Sequence, residues 1–198
     1  MAIEQIWRRM KVTPPVIESK DAEKEAILEA AKLMLVAART APKSAGIDDI
    51  LTLIVCGREK DALADEMEEI AEQRKSDGFR RDAKNVRDSE AIVLIGARGC
   101  KSFGLNCGAC GHDTCKDFEK ARKAGGDFVG PTCLFKALDM GIALGSAAKI
   151  ASELNVDNRI MYRIGTAAVR LKMLPEANVA MGIPLSAKGK SIYFDRNK

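Results

Sequence analysis

The sequence predicts an α+β domain interrupted by one cysteine-rich segment. Apolar residues recur at helical spacing before residue 42 and again after residue 133, so each region predicts a long helix. Two short apolar runs, at 51–56 and 91–97, are bounded by turn signals and are typical of buried strands. Residues 99–133 are rich in Gly, Cys and charge, so something other than a hydrophobic core must order them.

Helix and strand signals alternate in the first half of the chain. Ser19 or Asp21 can cap the first helix, and Pro42 ends it. A second amphipathic helix follows the strand at 51–56 and is broken at Asp77-Gly78. The strand at 91–97 then leads into the cysteine-rich segment.

The last third of the chain predicts a long helix and then two strands around a short helix. The predicted bounds, in order, are 134–154, 159–164, 166–173 and 179–183. Pro184 is expected to end the last strand. Gly141, Gly145 and Ala148 are small residues of the long helix, which would let another helix approach closely.

Composition excludes several classes of function. The 198 residues suit one domain, spanning 1–198, and the net charge of +4 comes from scattered Lys and Arg with only 5% aromatic residues, so nucleic acid is not an expected partner. No segment approaches the roughly 20 apolar residues that cross a bilayer. The N-terminus lacks the apolar core of a signal peptide. We therefore expect a cytoplasmic protein with no membrane partner.

Four of the six cysteines are crowded into a short stretch with the spacing C-x2-C-x4-C-x17-C. They are Cys107, Cys110, Cys115 and Cys133. A secreted disulfide framework fits this pattern poorly, whereas a thiolate metal site fits it well. A 4Fe-4S cluster takes four soft sulfur ligands, and Gly108 and Gly111 allow the loop to wrap one corner of such a cluster.

A structural zinc site is the alternative, because zinc also accepts four thiolates and a Cys-x2-Cys pair. The remaining spacing favours a cluster. Zinc ribbons present two separate Cys-x2-Cys pairs, whereas here the third cysteine follows after four residues and the fourth stands alone after Pro131-Thr132.

Two further cysteines and the only histidine need separate interpretations. Cys100 is close enough in sequence to replace a ligand, although a small residue at a strand end is the simpler interpretation. Cys56 ends an apolar run and is expected to be a small buried side chain without a catalytic role. His112 lies inside the cysteine loop, either as a donor to a sulfur or as a solvated loop residue.

The stretch N-C-G-A-C-G-H-D-T-C and the lone cysteine after it resemble a known iron–sulfur module. That module occurs in corrinoid iron–sulfur proteins and in the B subunit of Rnf-type electron-transport complexes, and the match covers roughly 104–133. The resemblance implies the same four cysteines as 4Fe-4S ligands and an inserted cluster-binding segment at 99–133.

The rest of the chain resembles the nitroreductase fold, whose members bind FMN at a homodimer interface. A-A-R-T-A-P-K-S-A-G at 37–46 and A-M-G-I-P-L-S at 180–186 carry this resemblance. It implies a homodimer and, with the cysteines, an oxidoreductase. The whole chain also resembles an archaeal and bacterial family described as ferredoxin-domain-containing proteins, for which neither a reaction nor a redox partner is known.

The sequence departs from the nitroreductase pattern where FMN would bind. The arginine-rich phosphate clamp is missing unless Arg8 and Arg9 replace it, and the acidic pair Asp48-Asp49 would face the flavin edge. The candidate FMN-binding residues that remain are Arg39, Lys43, Ser44 and Arg196. No G-x-G-x-x-G motif follows a strand, and Pro184 stands where a phosphate loop around 189–191 needs glycine.

Three functional hypotheses follow from these patterns. In the first, the cluster passes single electrons to a flavin that reduces a small substrate. In the second, the protein is an electron carrier or accessory protein without flavin. In the third, it is a structural zinc-binding module.

Overall fold

The computed structural model describes residues 16–194, which form six helices, six strands and a short 3-10 turn at Ser44–Gly46. The helices are α1 (Ser19–Thr40), α2 (Gly57–Arg74), α3 (Asp77–Arg87), α4 (Cys115–Lys120), α5 (Leu134–Glu153) and α6 (Tyr162–Arg170). The strands are β1 (Ile50–Val55), β2 (Ala91–Ala97), β3 (Ala124–Gly125), β4 (Val129–Gly130), β5 (Asp157–Asn158) and β6 (Val179–Ser186). Arg8, Arg9 and Arg196 lie outside the described residues.

One antiparallel sheet, in the order β1-β2-β6-β5, separates two layers of helices. Helices α1 and α5 pack on one face, and α2, α3 and α6 pack on the other. All seven residues of β2 are buried, because this strand is central and both of its faces are covered. Ile92 and Leu94 enter one core, while Val93 and Ile95 enter the other, as the two-residue period of a strand requires.

The predicted α+β class is confirmed, and the main elements lie close to where the sequence predicts them. Strand β2 covers the predicted range, and α1 begins at Ser19 and ends just before Pro42. The buried positions of α1 include Ile27, Ala31 and Met34, at the spacing expected of one helix face. No helix within residues 16–194 is both long enough and apolar enough to span a bilayer.

The predicted strand at 159–164 is wrong. Only Asp157–Asn158 and a bridge from Met161 to Gly182 pair with β6, and helix α6 already begins at Tyr162. The buried apolar residues Met161, Ile164 and Ala168 are three and four residues apart, which is helical spacing. Helix α6 also lies directly on β6, since a Cβ atom added to Gly165 would sit 1.8 Å from the Ala180 carbonyl oxygen.

The sequence does not predict helix α3, because Asp77-Gly78 is typical of the end of a helix. Helix α2 instead ends at Arg74, where Lys75 adopts the left-handed conformation with φ 51°. Asp77 and Gly78 then form the first turn of α3, in which an acidic side chain is favoured by the helix dipole. Phe79, Ala83 and Val86 anchor α3 on the core at helical spacing.

Pro184 does not end the last strand, since β6 continues to Ser186. The Gly182 amide and carbonyl bond to Met161 on the β5 side, while the Leu185 carbonyl accepts from Glu90 on the β2 side. Backbone groups alternate along a strand, so the nitrogen of Pro184 faces the β5 side, where the ladder is interrupted between Asn158 and Met161. No ladder hydrogen bond is lost there.

Candidate metal centre

The cysteine-rich segment connects β2 to α5 and is tied to the core by one asparagine. The Asn178 side-chain oxygen accepts from the Cys100 amide at 3.1 Å, and its backbone carbonyl accepts from Val129 at 2.9 Å. The Asn178 amide donates to the Ala97 carbonyl at 2.9 Å. Asn178 therefore fixes both ends of the segment relative to β2. Sequence reasoning missed it, because its partners lie up to 81 residues away and no local motif marks it.

A second anchor joins the β3–β4 turn to the helices. Asp127 forms an ion pair with Arg74 and accepts a hydrogen bond from the Tyr162 hydroxyl. The hydrogen bond from Arg74 lowers the pKa of Asp127, against the effect of burial, so the carboxylate stays charged. The Tyr162 ring packs edge-on against Phe128, with 5.8 Å between ring centroids.

The four predicted ligands surround a single pocket. Cys107, Cys110, Cys115 and Cys133 all line it, and its cavity volume is about 10 Å³. His112 and the buried ring of Phe118 complete the wall. The structure thus brings together residues that are up to 26 positions apart in the sequence.

Cys107 and Cys110 flank a tight turn. The Gly111 amide donates to the Gly108 carbonyl at 2.9 Å, which closes the turn. Gly108 and Gly111 have φ values of 71° and 83°, a conformation that favours glycine. The backbone of these two glycines therefore has the tight, left-handed turn that the predicted wrapping of the loop requires.

Cys115 begins helix α4 and is held by Asn106 through two reciprocal bonds. The Asn106 amide donates to the Cys115 sulfur at 3.3 Å, and the Cys115 amide donates to the Asn106 side-chain oxygen at 2.8 Å. The hydrogen bond from the Asn106 amide lowers the pKa of the Cys115 thiol, with smaller contributions from Ser102 and neighbouring amides. Backbone N–H groups directed at a sulfur stabilise the thiolate, which is the form that binds metal.

Cys133 supplies the rigid side of the pocket. It is the residue preceding α5, it is only 7% exposed, and its amide donates to the Gly99 carbonyl at 2.8 Å. Cys107, by contrast, is exposed. One wall of the pocket is therefore fixed by the core helix, and the opposite wall is a surface loop.

The other two cysteines lie outside this pocket. The Cys100 thiol donates to the Val129 carbonyl at 3.5 Å and does not line the pocket. Cys56 precedes α2 and is exposed, so the prediction of a small buried side chain is wrong there. The apolar run of β1 favours a buried position for the residue that follows it, but the strand ends at Val55 and Cys56 is exposed. His112 lies edge-on to Phe118, at 5.9 Å between ring centroids.

Within residues 16–194, no group of three or more His, Cys, Asp or Glu side chains is arranged to hold a single metal ion. The four thiols border one pocket, and both zinc and an iron–sulfur cluster accept four thiolate ligands. Their number, softness and placement around one space fit the donor set of an iron–sulfur cluster.

The predicted FMN-binding residues within the described range already have protein partners. Arg39 pairs with Asp48 and donates to the Ile50 carbonyl at 2.9 Å. Both the amide and the hydroxyl of Ser44 donate to Asp139, at 2.9 and 2.8 Å.

Lys43 is engaged in a different way. Its ammonium group donates to three carbonyls at the C-terminal end of α1, where the helix dipole favours a cation. Arg39, Lys43 and Ser44 therefore already donate within the protein, so these three side chains present no free donor to a flavin phosphate in this structure. Arg196 lies beyond the described residues.

The acidic pair Asp48-Asp49 does not present two free charges. Asp49 is buried and lies 2.6 Å from the ammonium nitrogen of Lys136, which is itself 1% exposed and stacked 3.6 Å over the Phe103 ring. Lys101 contributes a second, exposed cation at 3.5 Å. This buried pair joins the cysteine-rich segment, through Phe103, to β1 and α5. No local motif marks this pair, because Asp49 and Lys136 are 87 positions apart.

Comparisons with known proteins define the family. Residues 129–196 match the family described as "Uncharacterized protein containing a ferredoxin domain (DUF2148)". An uncharacterized protein from Archaeoglobus fulgidus is 52% identical over 181 residues, covering 91% of this chain and 97% of the relative. The chain belongs to the DUF2148 family. The ferredoxin domain of this family implies an iron–sulfur redox role, although the matched residues include Cys133 and none of the other three pocket cysteines.

Solved structures place the DUF2148 chain in the nitroreductase-like fold. A nitroreductase-like family protein from Bacillus cereus has a TM-score of 0.52 at 10% identity, covering 94% of this chain and 81% of that chain. A nitroreductase with bound FMN from Bacteroides fragilis has a TM-score of 0.50 at 14% identity, covering 86% and 80%. At these identities the likeness shows the fold alone, and the nitroreductase-like prediction is confirmed at that level.

Proposed function

We propose that this DUF2148 protein is an iron–sulfur electron-transfer protein that holds one 4Fe-4S cluster with Cys107, Cys110, Cys115 and Cys133. The observation that carries the proposal is the pocket lined by all four thiols. A bound cluster of this type supplies single-electron transfer.

In this proposal, the residues around the pocket either present the four sulfurs or exclude water from them. The turn closed between Gly108 and Gly111 presents two sulfurs from one loop. The Asn106 amide stabilises the Cys115 thiolate, and α5 fixes Cys133. Phe118 is fully buried and screens one side of the pocket from water.

We further propose that 99–133 is an inserted cluster-binding segment of a single domain. Its start and end are joined through Cys133 and Gly99, and it leaves the sheet at the end of β2 and returns at the start of α5. The domain core is complete without it, because both hydrophobic clusters are built from the sheet and its covering helices.

An absorbance spectrum of protein purified without oxygen tests the proposed function. We expect broad visible absorbance from a cluster, which bleaches on reduction. A colourless protein that contains stoichiometric zinc would support the structural zinc module instead. If the spectrum also shows the resolved bands of a bound flavin, the flavin-coupled oxidoreductase becomes the better proposal.

Titration with FMN separates the electron carrier from the flavin enzyme. Because Arg39, Lys43 and Ser44 are bonded within the protein, we expect no saturable quenching of flavin fluorescence up to high micromolar FMN. Saturable quenching would contradict this. In that case an Arg196→Glu variant should lose roughly ten- to a hundredfold in affinity, the value of an ionic hydrogen bond to phosphate, while the control Arg122→Glu should not.

We also propose a homodimer formed through the outer face of α5. Leu134, Leu138 and Ile142 are 42%, 50% and 45% exposed on this face. Gly141 and Gly145 leave open space beside them, so a second helix can approach closely.

A charged residue on this face tests the dimer. We expect a two-chain mass by light scattering for the native protein and a one-chain mass for Leu138→Glu, because the charge would be buried without a partner. Leu171→Glu is the matched control, since Leu171 is also exposed but follows α6 on the opposite layer. A native protein that is already a monomer at micromolar concentration would contradict the proposal.

A further inference from the structure

Lys136 is a buried cation in the first turn of α5, close to the cysteine that precedes this helix. Cys133 is the N-cap of α5, and Lys136 is the third residue of the helix. A side chain at the third position reaches back toward the N-cap, because the Cα–Cβ bonds of a helix tilt toward its N-terminus. The ammonium group of Lys136 therefore lies at the same end of α5 as the Cys133 thiol, and it is shielded from solvent.

The cysteine-rich segment fixes the position of this cation independently. The Phe103 ring stacks on the ammonium group of Lys136, with 3.6 Å between the nitrogen and the ring centroid. The same ring lies edge-on to Phe135, with 6.1 Å between the two ring centroids. Ser102, next to Phe103 in the chain, lines the cysteine pocket together with Cys133. Lys136 is therefore held between two chain segments that both contribute to the wall of the pocket.

Asp49 is the buried partner of this cation. Its carboxylate lies 2.6 Å from the Lys136 nitrogen. Burial raises the pKa of Asp49, but the hydrogen bond and the charge of Lys136 outweigh this effect and hold the pKa below its ordinary value, so the carboxylate stays charged at neutral pH. Lys101 and Arg98 approach the same carboxylate from more exposed positions, at 3.5 and 3.8 Å. Asp49 and Lys136 are thus two opposite charges that are both shielded from water.

Charges in this place act on the pocket through the protein and not through water. Reduction adds one negative charge to an iron–sulfur cluster, so a nearby cation favours the reduced state and a nearby anion disfavours it. Water and salt screen exposed charges strongly, whereas buried charges are screened much less. Among the cations that residues 16–194 place within 4 Å of Asp49, only Lys136 is buried. Its effect on the pocket should therefore exceed that of Lys101.

We propose that Lys136 and Asp49 set the reduction potential of the cluster held in the cysteine pocket, with Lys136 raising the potential and Asp49 lowering it. The inference rests on the proposed function and adds to it two residues that are not cluster ligands. Each acts through its charge alone. A unit charge about 10 Å away, at an effective dielectric constant of about 20, changes an equilibrium constant roughly tenfold.

Redox titration of the holoprotein, purified without oxygen and followed by its visible absorbance, tests this role. Lys136→Met should lower the potential and Asp49→Asn should raise it, each by about 59 mV, which is a tenfold change in the equilibrium constant of a one-electron couple. The double variant Lys136→Met/Asp49→Asn should lie between the two single variants, close to the native protein. Loss of a purely structural contact would not move the potential in opposite directions in the two single variants.

Lys101→Met and Lys149→Met are the matched controls, because each removes an exposed lysine. Lys101 lies near Asp49, whereas Lys149 lies about 20 Å further along α5 than Lys136. Lys101→Met should lower the potential less than Lys136→Met does, and Lys149→Met should leave it unchanged. Equal shifts in all three lysine variants would overturn the proposal, since the potential would then follow the net charge of the protein and not the buried pair.

The iron content of each variant, measured beside its potential, separates the possible failures. If Lys136→Met loses its iron, the double variant is compared with Asp49→Asn, because both lack the carboxylate and differ only at Lys136. A lower potential in the double variant then supports the proposal, and an equal one overturns it. A native protein without iron overturns the proposed function, and this inference falls with it. An intact cluster with one potential in the native protein, Lys136→Met and Asp49→Asn overturns this inference alone.

Discussion

Serine at any one of Cys107, Cys110, Cys115 or Cys133 is expected to abolish or severely reduce iron binding, with loss of the visible absorbance. Each thiol lines the same pocket, and a hydroxyl is a much poorer ligand for iron than a thiolate. The effect should be largest for Cys133, because it is the one buried thiol of the four and directly precedes α5. Iron content after anaerobic purification measures the loss.

Cys100→Ser and Cys56→Ser are the matched controls. Both remove a thiol without touching the pocket, since Cys100 bonds to Val129 and Cys56 lies before α2. Both should retain full iron. Full iron retention in Cys133→Ser combined with loss in Cys100→Ser would contradict the proposed ligand set and make Cys100 the fourth ligand.

Lys136→Met should destabilise the protein by about 3 kcal/mol, because it leaves Asp49 charged and buried without its main partner. Lys136 and Asp49 are 1% and 7% exposed, and their charged atoms lie 2.6 Å apart. Lys101 and Arg98 remain near Asp49, at 3.5 and 3.8 Å, which keeps the loss at the lower end of the range for buried pairs. Denaturant unfolding under anaerobic conditions measures the change.

Lys101→Met is the control for this prediction, because it removes a cation from the same carboxylate at an exposed position. Its side chain is 62% exposed, and such pairs contribute about 0–1 kcal/mol. The double variant Lys136→Met/Asp49→Asn should recover much of the loss, since no unpaired charge then remains. If Lys136→Met and Lys101→Met have the same free energy of unfolding, the buried Asp49–Lys136 pair stabilises the fold no more than the exposed pair does.

The same pair determines a pH dependence at the acid end. Burial alone raises the pKa of Asp49, but the hydrogen bond and charge of Lys136, together with the charge of Lys101, lower it below its ordinary value of 3.8. The stabilisation from Asp49 is therefore fully present above that value and is lost as the pH falls through the lower pKa of the folded state. Asp49→Asn should reduce the acid sensitivity of unfolding.

Local patterns were sufficient to predict the elements that carry a clear period. The helix that starts at Ser19 was predictable because its buried positions follow the helical repeat, and the strand at 91–97 because it is a short, continuous apolar run. The strand expected at 159–164 failed because a run of mixed apolar and polar residues fits both periods, and close packing at Gly165 selects the helix.

In the candidate site, too, the residues that belong to a local motif could be predicted and those that depend on distant contacts could not. The four cysteines could be found because their chemistry and spacing are local, and a structure was needed only to bring Cys133 to the others. Asn178 and the Asp49–Lys136 pair could not be found, because each depends on contacts between distant parts of the chain. The predicted flavin residues are ordinary donors in sequence, and only the fold reveals that their hydrogen bonds are already made within the protein.

The central claim is that the four cysteines hold a 4Fe-4S cluster, and chemical analysis of the native protein tests it most directly. Iron, acid-labile sulfide and zinc should be measured per chain on protein purified without oxygen. The account predicts about four iron and four sulfide with negligible zinc. About one zinc per chain with no labile sulfide would contradict it.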